Sequence, residues 1–532
     1  MKNDQIGALI MSPTRELAIQ INTVLNSFLE HIPLTSLLIV GGKSKVDTFK
    51  KFSEDGGHIL ISTPGKLAML LGRGSKTAPV FQKALKSLEV LILDEADRFF
   101  QQTNFREALQ QILSFLPKQR RTSLFSATQT TEIEAFVRAG LRNPVQVVVR
   151  EKPKLEDIAG ATVKRTPDSL SNFYIMCDAD EKLKRLVTLL RAHKEQKFII
   201  FFNTCACVDY FTKLFAILLK NTPVVSIHGQ KAKRGEIFTK FQDMEKGILT
   251  CTDVMARGID IPTVDWVIQY DPPTNVEAYV HRCGRTARMG NIGKALLFLL
   301  PSENAYIDFV KINQKVHIDQ FVDGDDITED PYSMANKIRK IASRDREIYE
   351  KGLRAFVSFI QSYIKHQCSI VLQMKELDIG KLANGFGLLH MPRMPELRDA
   401  DVTGFVDMEI DTNKIKYTDK AREKARIERK EREALLEGNS VERVAKHQQL
   451  KASDSWSKQK EKKQKKVDRK EKKQHNLKRK QQQGVDDGDC DDINDLMAEG
   501  RLLKKLKKGK ITKEEFEQRV GETLVMDDDS VE

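Results

Sequence analysis

The stretch that decides the fold is Val90-Leu-Ile-Leu-Asp94-Glu95-Ala96-Asp97, an apolar run followed at once by acidic residues. A run without interior polar residues is typical of a parallel strand that is buried on both faces. It therefore delivers two adjacent carboxylates, Asp94 and Glu95, at the carboxyl end of a strand. In one interpretation they form an acidic strand-to-helix turn with Asp as the helix N-cap. In the other they serve phosphoryl transfer from a nucleotide, where Asp94 holds Mg²⁺ and Glu95 orients the attacking water.

Short apolar runs recur on both sides of this strand as far as about residue 300, separated by amphipathic helical segments. The runs are residues 8–11, 37–40, 59–61, 123–125, 198–202, 224–227, 248–251, 266–270 and 295–300. This alternation predicts parallel sheets covered by helices on both faces, with ligands at the carboxyl ends of the strands. Residues 151–169 interrupt the pattern with charges, Pro and Gly. They predict a linker between two α/β domains, at 1–150 and 170–319.

The rest of the chain has a different composition. Residues 320–400 predict a helical extension. Its segment 337–362 has apolar residues at helical spacing, with one face formed by Leu353, Phe356, Val357 and Ile360. In the tail at 401–532, the segment 458–480 holds 13 Lys or Arg against 3 acidic residues. Because so few apolar side chains cannot offset the entropy of ordering, we expect a charged tail that is largely disordered or helical.

Composition limits the compartment and the partner. The net charge of +13 favours a polyanionic binding partner. Nucleic acid is the first candidate and an anionic membrane surface the second. The longest apolar runs fall far short of the roughly 18 residues that a membrane span needs. Seven cysteines without paired CxxC motifs predict reduced thiols and a cytosolic or nuclear protein.

Motifs in both α/β domains resemble those of the DEAD-box RNA helicases. In the first domain they are Pro13–Leu17, Gly41-Gly42, Thr63–Gly65, Asp94–Asp97 and Ser126–Thr128. In the second domain they are Phe201–Thr204, His228-Gly229, Thr252–Asp260 and His281–Arg288. The motifs stand in the family's order over roughly residues 1–310, and the chain is identified as a member. The resemblance implies two tandem RecA-like domains that use ATP and Mg²⁺ and bind RNA.

The resemblance also implies roles for residues at the ATP site. Asp94, with Mg²⁺, and Glu95 would be catalytic, together with Arg285 and Arg288 as arginine fingers on the γ-phosphate. These arginines stand three apart, so a helical turn would project both toward one target. Asp260 would bond the ribose of ATP beside Gly258. Coupling between nucleotide and RNA would involve Asp97, Ser126, Thr128 and His281.

The motifs implied to contact RNA are rich in Gly, Thr, Pro and Arg, which suits a grip on the sugar–phosphate backbone. From the first domain the residues would be Arg15, Gly42, Thr63 and Gly65. From the second they would be Thr204, Arg234 and Thr252. Three positions depart from the family pattern: Lys66 stands for Arg, Ala287 for Gly, and Lys231 precedes Arg234 in a weak Gln-x-x-Arg motif.

The family's phosphate loop, G-x-x-x-x-G-K-[S/T], is expected before the strand at 8–11, together with a glutamine segment. Gly42-Lys43-Ser44 does not supply this loop, because Leu37 stands where its first glycine should be. We therefore expect an N-terminally truncated first domain and a chain deficient in ATP hydrolysis. An RNA-binding protein without ATPase activity remains the alternative function.

The C-terminal part resembles helicases that act in ribosome assembly. The likeness lies in Ala355–Ser358, Phe386–Leu389, Met394–Leu397 and the basic stretch Arg501–Lys510, which is most like the large-subunit branch. It implies ATP-dependent remodelling of short duplexes in pre-ribosomal RNA, on the pre-60S particle in the nucleolus. We expect a nuclear monomer without a membrane partner. A DNA helicase is disfavoured, because Asp94–Asp97 and His281–Arg288 resemble the RNA group.

Overall fold

The computed structural model describes residues 4–41, 45–72, 75, 77–128, 131–141, 143–148, 167, 169–231, 233–256, 261, 264–288, 290–322, 331–398 and 401–432. Most of the predicted linker and residues 433–532 of the predicted tail lie outside these ranges. Within them, two parallel sheets flanked by helices confirm the predicted α/β fold class.

Five described strands form the first sheet, in the order β2-β3-β1-β4-β5. The strands are β1 (Ala8–Met11), β2 (Ser36–Ile39), β3 (Ile59–Ser62), β4 (Val90–Leu93) and β5 (Arg121–Leu124). β4 lies between β1 and β5, and all the pairings are parallel. Leu9, Leu60 and Leu91 are fully buried, as expected for strands covered on both faces. The carboxyl ends of these strands therefore meet at the edge where Asp94 begins.

Seven described strands form the second sheet, in the order β12-β6-β11-β10-β7-β9-β8. They are β6 (Leu170–Met176), β7 (Lys197–Phe201), β8 (Val224–Ile227), β9 (Gly247–Cys251), β10 (Trp266–Gln269), β11 (Gly293–Leu299) and β12 (Asp319–Gln320). The sequence runs did not predict β6 or β12. β6 escaped because its interior holds Ser171 and Asn172, and β12 because it is two exposed polar residues.

The helices connect the strands and cover the sheets. In the first domain they are α1 (Arg15–Leu29), α2 (Lys45–Asp55), α3 (Pro64–Leu71), α4 (Ala78–Ala84), α5 (Ala96–Gln101), α6 (Thr103–Phe115) and α7 (Thr131–Gly140). In the second they are α8 (Lys182–Ala192), α9 (Cys205–Leu218), α10 (Arg234–Gln242), α11 (Val276–Cys283) and α12 (Ala305–Gln314). No helix in the described ranges has the length and apolar character to cross a bilayer.

The extension contains α13 (Pro331–Arg344), α14 (Arg346–Ile364) and α15 (Ile379–Gly385). The helical segment predicted at 337–362 is thus two helices, because Asp345 has extended backbone and its carboxylate accepts from the Glu347 amide at 2.9 Å as an N-cap. Phe356 and Ile360 are fully buried, as the predicted apolar face requires. The other two members of that face, Leu353 and Val357, instead line a surface groove of about 450 Å³.

The extension shares one apolar core with the second domain. The Tyr210 hydroxyl of α9 donates to the Phe386 carbonyl at 2.5 Å, and the two rings stack with centroids 6.2 Å apart. Packing continues past the predicted boundary at residue 400, because Ile415 is buried in the same core. The Tyr417 hydroxyl also donates to the carboxylate of Glu350 at 2.7 Å. The folded extension therefore reaches at least residue 417.

Gly385 tests this shared core. A Cβ on Gly385 would collide with the backbone carbonyl of Ala179, and backbone cannot move aside as a flexible side chain can. We expect Gly385→Ala to lower the free energy of unfolding of the second domain by about 1–3 kcal/mol. Urea unfolding followed by the fluorescence of buried Trp266 measures the change.

The matched control is Gly235→Ala in α10, where a Cβ meets no atom within 4 Å. There the added methyl should be neutral or stabilise by about 0.5–1 kcal/mol, because alanine favours helix over glycine. Equal stability of the Gly385→Ala variant and the unchanged protein would show that α15 does not pack against the backbone at Ala179 in solution.

Candidate active site

The loop after β4 places the two predicted catalytic carboxylates side by side. The Glu95 amide donates to Asp94 Oδ1 at 3.0 Å, and Glu95 has left-handed backbone with φ 51°. Such a conformation costs about 1–2 kcal/mol for a residue with a side chain, and strained backbone of this kind clusters at functional sites. Burial, and then the charge of Glu95, raises the pKa of Asp94. A cation beside Asp94 would relieve this unfavourable charge, so the residue fits a Mg²⁺ ligand.

The predicted coupling residues meet around the carboxylate of Asp97, which is fully buried. The Ser126 hydroxyl, just beyond β5, lies 2.9 Å from Asp97 Oδ1 and 2.7 Å from the Thr128 carbonyl oxygen. From the second domain, His281 Nε2 lies 3.6 Å from Asp97 Oδ2. One buried carboxylate thus contacts residues of both α/β domains.

Ligand atoms of Glu95, Asp97 and His281 lie within 4.8 Å of one another, and no other described residues form such a metal-binding group. Asp94 is outside this group. Magnesium keeps several waters and is usually bound through one or two carboxylates plus substrate phosphates. Asp94 could therefore hold the ion of Mg²⁺–ATP without further protein ligands.

The predicted arginine fingers lie in the turn that follows α11, rather than on a helix. Arg285 Nε donates to the His281 carbonyl at 3.3 Å, and Arg288 Nε donates to the Gly284 carbonyl at 2.8 Å. The helix cannot continue through both arginines, because Ala287 has φ 56° in the left-handed region. The helical geometry predicted from their spacing is therefore wrong, and each arginine instead bonds the carbonyl four residues before it.

Arg282 is a structural residue of the site that sequence reasoning did not single out. Its fully buried guanidinium makes two bonds to the carboxylate of Asp253, at 2.6 and 3.1 Å, and one to Asn203 Oδ1 at 2.9 Å. This paired arrangement fixes α11 to the loop after β9. Its signal in the sequence was only a basic residue beside His281, which does not reveal a partner 29 positions away.

Further contacts cross the cleft between the two domains. Arg98 Nη1 donates to the Asp253 carbonyl at 3.3 Å, and Gln101 contacts Glu277. Arg234 Nε lies 3.1 Å from Glu16 Oε1, with both side chains nearly buried. Arg234 was predicted to contact RNA, but here its charge is paired with a carboxylate of the first domain. Neither Arg98 nor Glu16 was predicted, because such long-range pairs leave no local pattern.

The other predicted RNA residues that the structure describes follow the carboxyl ends of strands. Arg15 lies after β1 and packs so closely over Gly41 that a Cβ there would collide with its guanidinium. Thr63 follows β3, and a Cβ on Gly65 would meet open space. In the second domain, Thr204 caps α9 by accepting from the Cys207 amide at 3.2 Å, and Thr252 follows β9. Gly42, Gly258 and Asp260 lie outside the described residues.

Comparison with protein families matches every part of this architecture. The DEAD/DEAH box helicase profile matches residues 1–136, and the helicase conserved C-terminal domain matches residues 181–290. The profiles for the C-terminal extension and tail of SPB4-like ATP-dependent rRNA helicases match residues 345–394 and 417–519.

Relatives that align with almost the whole chain are helicases of the same family. The chain is 47% identical to ATP-dependent RNA helicase DDX55 of Danio rerio, over 98% of this chain and 85% of that protein. It is 47% identical to the DDX55 helicase of Homo sapiens, over 97% and 83%. DEAD-box ATP-dependent RNA helicase 18 of Oryza sativa subsp. japonica is 40% identical, over 99% and 79%. The chain belongs to the DEAD-box ATP-dependent RNA helicases. The two RecA-like domains and a C-terminal extension like that of ribosome-assembly helicases were therefore predicted correctly.

Solved structures support the fold of the helicase. The DEAD-box helicase Mss116 bound to ssRNA and UDP-BeF has a TM-score of 0.61 at 22% identity, over 73% of this chain and 76% of that one. Dbp5 of S. cerevisiae bound to RNA and ADP BeF3 has a TM-score of 0.50 at 25% identity, over 60% and 78%.

The Glu16–Arg234 pair tests whether the cross-cleft contacts matter for activity. In Glu16→Gln the nearly buried guanidinium loses its counter-charge, and breaking such a pair costs about 3–5 kcal/mol. In protein that includes the phosphate loop expected before β1, we expect RNA-stimulated ATP hydrolysis to fall about tenfold or more, measured as phosphate release, because the two domains hold together less well.

The exchanged variant Glu16→Arg with Arg234→Glu should recover part of the activity. Lys233→Gln is the control, because the Lys233–Glu236 pair is largely exposed and such pairs contribute little. Normal hydrolysis by Glu16→Gln would mean that the pair does not hold the helicase in its active arrangement.

Proposed function

We propose that this helicase uses ATP hydrolysis to separate short duplexes in pre-ribosomal RNA during assembly of the large ribosomal subunit. The family supplies the reaction class, since its members are ATP-dependent RNA helicases. The ribosomal assignment is supported by the SPB4-like extension and tail, whose family is described as rRNA helicases. The pre-60S particle is then the expected partner, met by a monomeric helicase.

The observation that carries the mechanism is the carboxylate of Asp97 between Ser126 and His281. Asp97 stands two residues after the catalytic Glu95, and His281 is on the helix that leads to Arg285. A change at the nucleotide can therefore alter the same contact that holds the second domain. This contact couples ATP hydrolysis to opening and closing of the cleft.

The chemistry at the nucleotide follows from the same loop. Asp94 would hold Mg²⁺, which neutralises phosphate charge when it is bound with ATP. Glu95 orients the attacking water, and its side chain makes no capping bond to α5. Arg285 and Arg288 neutralise the charge that develops on the transferred phosphoryl group. Asp260 and Gly258 complete the nucleotide contacts.

RNA binds across the carboxyl ends of the strands, next to the nucleotide loops. From the first domain the contacts are Arg15, Gly42, Thr63 and the open backbone at Gly65, and from the second they are Thr204 and Thr252. Backbone amides, hydroxyls and a guanidinium bond phosphate and sugar, so binding does not depend on base sequence. Arg234 contributes indirectly, by pairing with Glu16 when the domains close.

Two substitutions, made in protein that includes the phosphate loop expected before β1, test the enzyme assignment. Glu95→Gln removes the carboxylate that orients water, so hydrolysis should be abolished while RNA affinity is kept. Arg288→Ala should lower kcat by about 10³-fold, as removal of an arginine finger does. RNA-stimulated phosphate release and unwinding of a short RNA duplex are measured beside RNA affinity. RNA binding without ATP turnover in the unsubstituted protein would favour the alternative of a non-enzymatic RNA-binding protein.

The charged tail is proposed to increase the affinity for RNA and to carry the nuclear localisation signal. Residues 458–480 carry 13 basic and 3 acidic side chains, and Lys462–Lys466 has the composition of a nuclear import signal. Deletion should start at residue 433, because Ile415 and Tyr417 belong to the folded extension. We expect removal of 433–532 to weaken RNA binding and to shift the protein from the nucleolus toward the cytoplasm.

Salt dependence separates this role from simple solubility. The slope of log K against log salt should flatten by about 0.7 for each RNA phosphate that the tail neutralises on a single strand. A truncated helicase with the same slope and the same nucleolar signal would assign both properties to residues 1–432 instead.

A further inference from the structure

A cluster of reactive side chains lies at the amino end of α9, apart from the nucleotide site. Cys205 is the first residue of α9 and is partly exposed, and Asp209 is one turn further along the helix. His228 follows β8, and its Nε2 lies 3.3 Å from Asp209 Oδ1. The Lys231 ammonium lies 3.2 Å from the same oxygen. In space, the cluster thus runs from a thiol to an imidazole to a carboxylate.

The surroundings of the Cys205 sulfur favour the thiolate. The His228 imidazole and the backbone at Gly229 and Gln230 lie beside the sulfur, and the Gln230 amide donates to His228 Nδ1 at 3.4 Å. These contacts, His228 first, lower the pKa of Cys205. The amino end of a helix adds a further positive potential.

The imidazole is held in its charged form. Burial opposes a charge on His228, but hydrogen bonds with Asp209 and Cys205 outweigh it and raise the pKa of His228 to about 9. In return, the hydrogen bond with His228 lowers the pKa of Asp209 to about 2. At neutral pH the charged groups that face the thiol are therefore an imidazolium and, behind it, the Asp209 carboxylate with Lys231.

Cys205 differs from the other described cysteines, which are all buried. Burial raises the pKa of each of them: Cys177, Cys207, Cys251, Cys283 and Cys368. Buried thiols with raised pKa values are inert, whereas a partly exposed thiolate beside a cation reacts.

The arrangement does not fit a metal site. Among the described residues, the group whose ligand atoms approach closely enough is the one around Asp97, and Cys205, His228 and Asp209 are not part of it. A thiol beside a histidine that a carboxylate contacts is instead the pattern of an activated thiol.

The thiol also borders the RNA edge of the second domain. Thr204, a proposed RNA contact, directly precedes Cys205 and caps the same helix. Gly229, which lies beside the thiol, borders open space, because a Cβ there would meet no atom within 4 Å. A group added to the sulfur would lie where the RNA backbone is proposed to pass.

We propose that Cys205 is a redox modification site, where a hydroperoxide forms a sulfenic acid that weakens RNA binding by the second domain. The effect on RNA rests on the proposed function, while the reactivity of the thiol does not.

The chemical step uses the cluster as it stands. The thiolate sulfur attacks one oxygen of the hydroperoxide, an S–O bond forms, and the O–O bond breaks. The sulfur is oxidised by two electrons and the peroxide is reduced. The leaving oxygen takes a proton from the His228 imidazolium and departs as water or an alcohol, and Asp209 stabilises the imidazolium beforehand.

Reactivity is measured first, on the full chain. The protein is treated with hydrogen peroxide, sulfenic acid is captured with dimedone, and peptides are quantified by mass spectrometry. Cys205 should be labelled about tenfold faster than Cys490, which stands among aspartates in the sequence and serves as an internal control. Asp209→Asn and His228→Asn should each slow the labelling of Cys205 about fivefold or more at pH 7.

The pH profile of the unsubstituted protein adds a measurement that needs no variant. The alkylation rate of Cys205 by iodoacetamide should reach half its maximum at a lower pH than that of Cys490. Equal rates and equal pH profiles for the two thiols would overturn the proposal, whatever the helicase does with RNA.

The effect on RNA is measured on the same samples. Peroxide should lower the affinity for single-stranded RNA about tenfold in the unsubstituted helicase, by blocking phosphate contacts next to Thr204. Cys205→Ser should bind RNA normally and be insensitive to peroxide. Rapid oxidation with unchanged RNA affinity would overturn the regulatory half and remove RNA from this edge. Failure of untreated protein to bind RNA at all would instead count against the proposed function.

Discussion

The structure of this helicase depends on where the carboxylate of Asp97 finds its partners. A fully buried charge is costly unless it is paired and hydrogen-bonded. Here the Ser126 hydroxyl supplies one contact from within the first domain, and His281 supplies another from the second. The carboxylate of Asp97 therefore has neighbours in both domains. Ligand atoms of Glu95, Asp97 and His281 lie within 4.8 Å of one another, and the helix that holds His281 leads into the turn that carries Arg285.

The contacts between the α/β domains are polar, whereas the contacts between the second domain and the extension are apolar. The described apolar cores each stay within the first domain or within the second domain and its extension. Across the cleft, Arg98 reaches a backbone carbonyl and Arg234 reaches Glu16. When the cleft opens, both partners of a polar contact regain water, whereas opening a shared apolar core exposes its side chains to water without compensation. The cleft can thus open and close while the extension moves with the second domain.

Sequence reasoning predicted the sheets well, because a strand that is buried on both faces must be a continuous apolar run. β6 was not predicted, because Ser171 and Asn172 interrupt its apolar run. Of the site residues, only those that belong to short sequence motifs could be predicted. Asp94, Glu95 and Asp97 lie within one short motif, but the pairing of Glu16 with Arg234 joins residues far apart in sequence. The break at Asp345 was also missed, because apolar spacing continues through it and only the capping bond interrupts the helix.

The extension bears on the active site through the loop that precedes α11. The buried Lys182 ammonium lies 3.0 Å from Asp271 Oδ1 and holds the start of this loop, and the Gln367 amide of the extension donates to the Thr274 carbonyl at 3.1 Å near its end. The next residue, Asn275, caps α11, which carries His281. Movement of the extension would therefore shift the helix that contacts Asp97. The extension is thereby joined through this loop and α11 to the contact at Asp97, so a force applied to the extension reaches the coupling between the two domains.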